Sequence, residues 1–203
     1  GKTYTMAGPA DNPGVNYRAI DRLFQLRLAR AATHEYTIQL SMLEIYNEAV
    51  RDLWNPSSAA LSIREYPPGY WRGFYVEDLY IFECSNFEDM MLMLWEGMRC
   101  RAVGAHNLNQ DSSRSHSMLT FYLESETMAE DEVCVKFGKI AFVDLAGTER
   151  GRDTLNCTDK ERQLEGAEIN KSLLALKECI RSLDLGKAHI PFRGSKLTEV
   201  LRE

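Results

Sequence analysis

The sequence has no surplus of positive charge, and this limits the partners it can bind. Its 203 residues carry 24 Lys and Arg against 30 Asp and Glu, a formal net charge of −6. Domains that bind nucleic acid usually show the opposite balance, with a clear basic excess. We therefore predict no nucleic-acid partner, and binding to an acidic surface would require a local basic patch.

Long apolar runs and paired cysteines are missing as well. No stretch approaches the roughly 20 residues that cross a bilayer, and the start lacks the pattern of a signal peptide. The five cysteines are widely spaced and form no Cys-x-x-Cys pair, which predicts free thiols in a reducing compartment. The four histidines do not cluster with them, so no zinc site is expected. The length and an apolar fraction of 44% predict one globular domain with a sizeable core.

The sequence does contain a short apolar run followed by an acidic turn. Residues 140–143 are mostly strand formers and predict a strand buried on both faces, as in a sheet covered by helices. Asp144 follows directly at the carboxyl end of this strand, where ligands bind in open α/β sheets. Its carboxylate could hold Mg²⁺ through water, and Gly147 could bring its backbone N–H close to an anion. By itself this is only a common turn pattern.

Two further stretches support a phosphate site. Gly1-Lys2-Thr3 matches the end of the phosphate-cradling pattern G-x-x-x-x-G-K-[ST]. Residues 109–116, Asn-Gln-Asp-Ser-Ser-Arg-Ser-His, could offer hydroxyls to a metal or phosphate and a guanidinium to a carboxylate. A solvated loop would explain any one of these three stretches, but it does not explain all three in this order.

In these motifs the chain resembles a kinesin motor domain. Residues 109–116 match the family's first switch, N-x-x-S-S-R-S-H, and residues 144–149 match its second switch, D-L-A-G-[ST]-E. Residues 170–176 and 189–198 match its microtubule-facing helix and loop, and residues 43–48 match a further family signature. The resemblance covers essentially the whole chain.

The resemblance implies an α/β fold with the P-loop NTPase architecture shared by kinesins and myosins. Its central mixed sheet would contain mostly parallel strands and would have helices on both faces. The domain, residues 1–203, would be incomplete at both ends, since it begins inside the phosphate loop without Met and ends in the helix after the microtubule-binding loop. We therefore expect a piece of a longer protein that, on its own, is inactive and binds ATP poorly.

The implied function is a microtubule-stimulated ATPase motor that uses ATP and Mg²⁺ and works on microtubules of the cytoplasmic cytoskeleton. Two switch loops would sense the γ-phosphate and couple it to microtubule binding, for movement or for depolymerisation. The loop after Glu149 and residues 165–181 resemble the depolymerising internal-motor kinesins, whereas residues 72–117 resemble other subfamilies. Two alternatives stay open: a microtubule-binding module that no longer hydrolyses ATP, and another nucleotide switch such as a GTPase, which the lack of an Asn-Lys-x-Asp run disfavours.

The resemblance also implies roles at the nucleotide. Lys2 would contact the terminal phosphates, while Ser112 would contact the γ-phosphate and place the attacking water. Gly147 would sense the γ-phosphate through its N–H, and a bridge between Arg114 and Glu149 would latch the two switches. The metal ligands would be Thr3, Ser113 and, through water, Asp144. The remaining nucleotide contacts would come from Gly1, Tyr4 and Asn109.

Tubulin affinity is expected from cations on the microtubule-facing helix and the loop after it. These cations are Lys171, Lys177, Arg181, Arg193 and Lys196. Two positions depart from the family's pattern. Thr148 stands where serine is commoner and keeps the hydroxyl, whereas Gly194 stands where Asp, Glu or Asn is usual and loses a polar contact.

Periodicity and capping residues predict where the helices and strands lie. Helices are expected over residues 2–6, 17–32, 86–102, 165–183 and 196–201, and strands over 36–46, 61–64, 74–82, 118–124 and 133–143. A short helical turn is expected at 50–54, an exposed turn at 124–132 and a loop at 151–163. The buried stripe of the longest helix is predicted to be Ile169, Leu173, Leu176, Ile180 and Leu183.

Overall fold

The computed structural model describes residues 1–9, 11–55, 59–67, 73–107, 114–129, 132–147 and 160–202. Its helices are α1 (Lys2–Ala7), α2 (Val15–Arg30), α3 (Phe87–Asn107), α4 (Lys160–Asp184) and α5 (Lys196–Val200), with a 3-10 turn at Phe192–Gly194. Its strands are β1 (Glu35–Tyr46), β2 (Ala49–Asp52), β3 (Ile63–Glu65), β4 (Phe74–Val76), β5 (Phe82–Glu83), β6 (His116–Ala129) and β7 (Glu132–Asp144). No helix within these ranges has the length and apolar content needed to cross a membrane.

A five-stranded sheet lies at the centre of the described structure. Its order is β2-β1-β6-β7, with β5 also paired to β1, while β3 and β4 form a separate two-stranded ribbon. Each strand pair in the described ranges is antiparallel, so the predicted parallel content is not confirmed. The reason is clearest for β6 and β7, since only two residues separate Ala129 from Glu132 and so short a connection permits only an antiparallel pair.

The sheet carries a core on each face because successive strand residues point to opposite sides. On one side, Leu40 and Met42 of β1 and Phe121 of β6 pack against α2 and α3. On the other side, Leu43 and Ile45 pack towards α4 and α5. The first core contains Ile20, Ile38, Leu40, Met42, Leu53, Cys84, Met90, Leu94, Leu119 and Phe121, and the second contains Leu43, Ile45, Val50, Met118, Leu197 and Val200. Helices therefore cover both faces, as expected.

Four local expectations about the strands are wrong. The strand expected over 74–82 is two short strands, β4 and β5, separated by a turn at 77–78. The predicted helical turn at 50–54 is β2, which continues from β1 through the two-residue turn Asn47-Glu48. The predicted turn at 124–132 is mostly strand, because β6 runs to Ala129 and β7 starts at Glu132. Residues 140–143 do not form a doubly buried strand: β7 has a single partner within the described residues, and Ile140 is 44% exposed.

The longest helix also differs from its prediction. It starts at Lys160, within the predicted loop; residues 151–159 lie outside the described residues. Its fully buried residues are the small Ser172, Cys179 and Ser182. The predicted stripe is only partly confirmed: Ile169, Leu173 and Leu176 are half-buried, with Leu176 against the second core, whereas Ile180 and Leu183 are exposed. The 3-10 turn lies very close to the helix, because a Cβ at Gly194 would stand 3.3 Å from that of Ala175. The small residues Gly194 and Ala175 permit this close approach.

The other helices agree with the prediction to within a few residues. The Asn86 side chain accepts the Asp89 N–H at 2.8 Å and caps α3, and Ser195 caps α5 in a reciprocal arrangement with Thr198. The capping residues therefore predicted these helix starts well.

Cys84, Cys100, Cys134 and Cys179 are free thiols, while Cys157 lies outside the described residues.

Candidate functional site

The start of the chain lies against the segment that follows β7. Lys2 occupies the first position of α1, directly after the N-cap Gly1. Its ammonium donates a hydrogen bond to the Ala146 carbonyl, with the Lys2 Nζ and Ala146 oxygen 2.7 Å apart. Ala146 stands between Asp144 and Gly147, so the structure brings the Gly1-Lys2-Thr3 motif and the Asp144–Gly147 segment together. Tyr4, in the same helix, is 59% exposed, and the Gly1 backbone is open to approach, since a Cβ there would meet nothing within 4 Å.

Asp144 lies at the end of a row of side chains that crosses three strands. Glu44 of β1 pairs with Ser117 of β6, and Ser117 pairs with Asp144 of β7. Directly paired residues point to the same face, so all three side chains lie on the side covered by α3. With strands spaced about 4.8 Å apart, the two carboxylate residues stand roughly 10 Å from each other.

Arg101 of α3 lies between these two carboxylates and is a site residue that sequence reasoning missed. Its Nη1 donates to Asp144 Oδ2 at 3.1 Å, and its Nε lies 3.8 Å from Glu44 Oε1. Its Nη2 also donates to the Ser115 carbonyl at 3.2 Å. The three charged side chains are only 7–18% exposed, so this ion pairing is largely shielded from water. The sequence shows only that Arg101 lies on a predicted helix. It does not show that Glu44 and Asp144 are neighbours, because this depends on the register of three strands.

His116, the first residue of β6, points to the opposite face of the sheet and is 4% exposed. Its Nδ1 accepts the Ala146 N–H at 3.0 Å, and its Nε2 lies 2.9 Å from the Ser172 hydroxyl of α4. Burial lowers the pKa of His116 to about 4, helped by the cations Lys2 and Arg101 and opposed by Asp144. The imidazole is therefore neutral near pH 7.

The remaining predicted nucleotide residues are only partly described. Arg114 is half-buried just before β6, and Gly147 follows Ala146. The backbone of Thr3 belongs to the first turn of α1, beside Lys2. The other predicted residues of this group, Asn109, Ser112, Ser113 and Glu149, lie outside the described residues.

Four of the five predicted tubulin-facing cations are exposed. Lys171, Lys177 and Arg181 project from α4, and Arg193 projects from the 3-10 turn, whereas Lys196 of α5 is half-buried. Lys171, Arg181 and Lys196 form ion pairs with glutamates three residues away in their own helices. Such partly exposed pairs are worth little, so these cations remain able to exchange partners. All five belong to elements on the sheet face opposite α2 and α3.

The turn between β1 and β2 explains part of the signature at residues 43–48. Asn47 and Glu48 have positive φ values of 49° and 57°, a left-handed turn that normally favours glycine. The Glu48 carboxylate accepts the Lys196 N–H at 2.8 Å and so holds the start of α5. Glu48 therefore adopts an unfavourable left-handed backbone conformation. In return, its side chain connects the loop after α4 to the sheet through the hydrogen bond with Lys196.

The donor groups at this site suit a magnesium–nucleotide complex. An ammonium on a helix start, a buried carboxylate at a strand end and an adjacent glycine are brought together by the Lys2–Ala146 contact. A lysine neutralises phosphate, and a carboxylate can hold magnesium through its waters. Lys2 thus lies beside the Asp144–Gly147 segment, and the assignment of these residues to a nucleotide stays a prediction.

Comparison with known proteins identifies the family. The kinesin motor domain family profile matches residues 1–203. The chain is 40% identical to Kinesin-like protein KIN-8A of Oryza sativa subsp. japonica over 203 residues, which is 100% of this chain and 25% of that protein. It is 43% identical to Kinesin-like protein KIN-14F of Arabidopsis thaliana over 209 residues, covering 100% of this chain and 19% of that protein.

A solved structure described as that of a fast kinesin superposes on this fold. The TM-score is 0.87 at 37% identity, covering 99% of this chain and 56% of the solved one. The chain thus spans a quarter or less of the two curated relatives and about half of the solved structure. The match across the whole chain and the shared fold lead to one conclusion: this chain belongs to the kinesin motor domain family.

Proposed function

We propose that the protein containing this chain is an ATP-hydrolysing microtubule motor that requires Mg²⁺ and works on cytoplasmic microtubules. The observation that carries this proposal is the Lys2–Ala146 hydrogen bond, because it joins the phosphate-loop residue to the second-switch segment. Membership of the kinesin motor domain family supports the proposal of a microtubule partner.

The proposed chemistry is positioning and charge neutralisation, as phosphoryl transfer requires. Bound magnesium would neutralise charge on the nucleotide's phosphates. Lys2 holds the terminal phosphates and, through Ala146, also fixes the segment carrying Gly147. Thr3 and Ser113 would supply hydroxyl ligands to magnesium, and Asp144 would bind through water. Arg101 holds the Asp144 carboxylate in place. Gly1, Tyr4 and Asn109 contact the nucleotide, and Ser112 places the attacking water.

Steady-state phosphate release by the full-length protein, with and without polymerised tubulin, tests the motor function. We expect acceleration by microtubules, loss of hydrolysis in Lys2→Met, and normal hydrolysis in the control Lys136→Met, which alters an exposed lysine far along β7. Equal rates with and without microtubules would reject the motor and leave a binding module. Polymer mass measured in the same reaction separates movement from depolymerisation.

We further propose that Arg114 and Glu149 latch the two switch loops once the γ-phosphate has drawn them together. An arginine–carboxylate bridge suits this role because it is bidentate and directional. Arg114→Ala and Glu149→Ala should each stop hydrolysis while sparing nucleotide binding. The double variant should be no worse than either single one, and simply additive effects would rule the latch out.

The tubulin contact is proposed to lie on the face formed by α4, the 3-10 turn and α5. Reversing the charge of Lys171, Lys177, Arg181, Arg193 and Lys196 should weaken cosedimentation, and added salt should do the same, because it screens exposed charges. Arg22 and Arg30, exposed on α2 across the sheet, are the matched control for the pair Lys171 and Arg181 and should tolerate reversal. Equal losses from both sets would show that only net charge matters.

A further inference from the structure

His116 connects three separate parts of the fold through one buried side chain. It begins β6, accepts a hydrogen bond from Ala146 after β7, and contacts Ser172 in the middle of α4. Both of its ring nitrogens are therefore engaged, on opposite sides of the imidazole. Ser172 is itself 3% exposed, so the contact is shielded from water.

The groups around His116 determine which atom donates and which accepts in each of its hydrogen bonds. A backbone N–H can only donate, so Nδ1 of His116 must be the acceptor and carries no proton. Nε2 then carries the hydrogen and donates to the Ser172 oxygen, 2.9 Å away. The Ser172 hydroxyl donates in turn to the Ile169 carbonyl at 2.8 Å. Each hydrogen bond from Ala146 through His116 and Ser172 to Ile169 has one donor and one acceptor. The neutral imidazole therefore leaves neither of its ring nitrogens without a partner.

Ala146 is held from two sides. Its N–H donates to His116, and its carbonyl accepts from Lys2. A shift of the neighbouring Gly147 that carries the Ala146 peptide with it would therefore change the contact with His116. The other end of the imidazole meets α4 at the residue next to Lys171, one of the proposed tubulin contacts.

We propose that His116 is a positioning residue that transmits the position of the Asp144–Gly147 segment to helix α4 through Ser172. This inference rests on the motor function proposed above, and it names the side chains that couple the nucleotide site to the microtubule face. Imidazole suits the role because its two nitrogens reach a donor and an acceptor on opposite sides. The substitution His116→Asn could keep an acceptor for the Ala146 N–H, but the asparagine side chain is too short to reach Ser172.

The test measures the microtubule affinity of the full-length protein with a non-hydrolysable ATP analogue and with ADP. The ratio of these two affinities is then compared between the variants and the wild type. Ser172→Ala and His116→Asn should each bring this ratio roughly three- to tenfold closer to one, the effect expected from one hydrogen bond. Because both remove the same link, the double variant should match the singles. Ser172→Thr retains the hydroxyl and should restore much of the ratio.

Ser182→Ala is the matched control, since Ser182 is a second buried serine on the same face of α4. It should leave the ratio at the wild-type value, whatever its effect on thermal stability. If Ser172→Ala moved the ratio no further than Ser182→Ala does, the proposal would be overturned. Multiplying effects of His116→Asn and Ser172→Ala would overturn it as well.

The wild-type protein separates this inference from the function on which it rests. Microtubule-stimulated hydrolysis in the wild type, with an unchanged affinity ratio in Ser172→Ala, would reject only the link. A wild type without stimulation and without nucleotide-dependent affinity would reject the motor function and the link together.

Discussion

Replacing Arg101 with methionine should be one of the most destabilising changes in the chain. Arg101 is 10% exposed and lies between Asp144 and Glu44, which are 7% and 18% exposed. Methionine retains much of the aliphatic stem but leaves two carboxylates without their shared cation. Removing one member of a buried ion pair costs about 3–5 kcal/mol, and the residual exposure of Glu44 places our expectation near 3 kcal/mol.

Urea unfolding of the purified protein at pH 7.5 measures this loss as a lower midpoint at unchanged slope. Arg99→Met is the control, because Arg99 is on the same helix but forms a water-exposed pair with Glu96 and should matter little. Adding Glu44→Gln to Arg101→Met should recover part of the loss by removing one of the two carboxylates. Equal midpoints for the Arg101 and Arg99 variants would refute the reasoning.

Two further predictions concern His116 and Glu48. The pKa of His116 is about 4 in the fold against an ordinary 6.5, so its contribution to stability is complete above pH 6.5 and is lost as pH falls towards 4. Urea unfolding at pH 7.5 and pH 5 should show a loss of about 2 kcal/mol that is absent in His116→Asn; equal pH dependence in both proteins would contradict this. Glu48→Ala should lower the free energy of unfolding by about 1–2 kcal/mol, because the Lys196 N–H loses its acceptor. Glu48→Gln keeps an acceptor oxygen and should lose less in the same thermal or urea measurement, and identical losses would show that the contact is unimportant.

The sequence predicted best those features whose cause is local. The caps Asn86 and Ser195 and the period of α2 and α3 depend on neighbouring residues, and the corresponding helices are present. The juxtaposition of Lys2 with the segment after Asp144 was also predicted, but through family resemblance rather than periodicity.

Features set by tertiary packing were predicted poorly. The hairpin at Asn47-Glu48 lacks the glycine that normally marks such a turn, so β2 was taken for a helical turn. Arg101 was missed because its role depends on how α3 docks over the sheet. On α4, periodicity favoured Ile180 and Leu183 as core, whereas the fully buried residues are the small Ser172, Cys179 and Ser182.

The carboxyl ends of two strands still lie side by side here, although the described strand pairs are all antiparallel. β1 and β7 both pair with β6, and two strands antiparallel to the same neighbour run parallel to each other. Their carboxyl ends therefore lie at one edge of the sheet, where β6 begins with His116. This arrangement places Glu44 and Asp144 in one row on the α3 face and sends His116 to the α4 face. Under the proposed function, this edge would therefore carry nucleotide-binding residues on one side and contact the proposed tubulin-binding helix on the other.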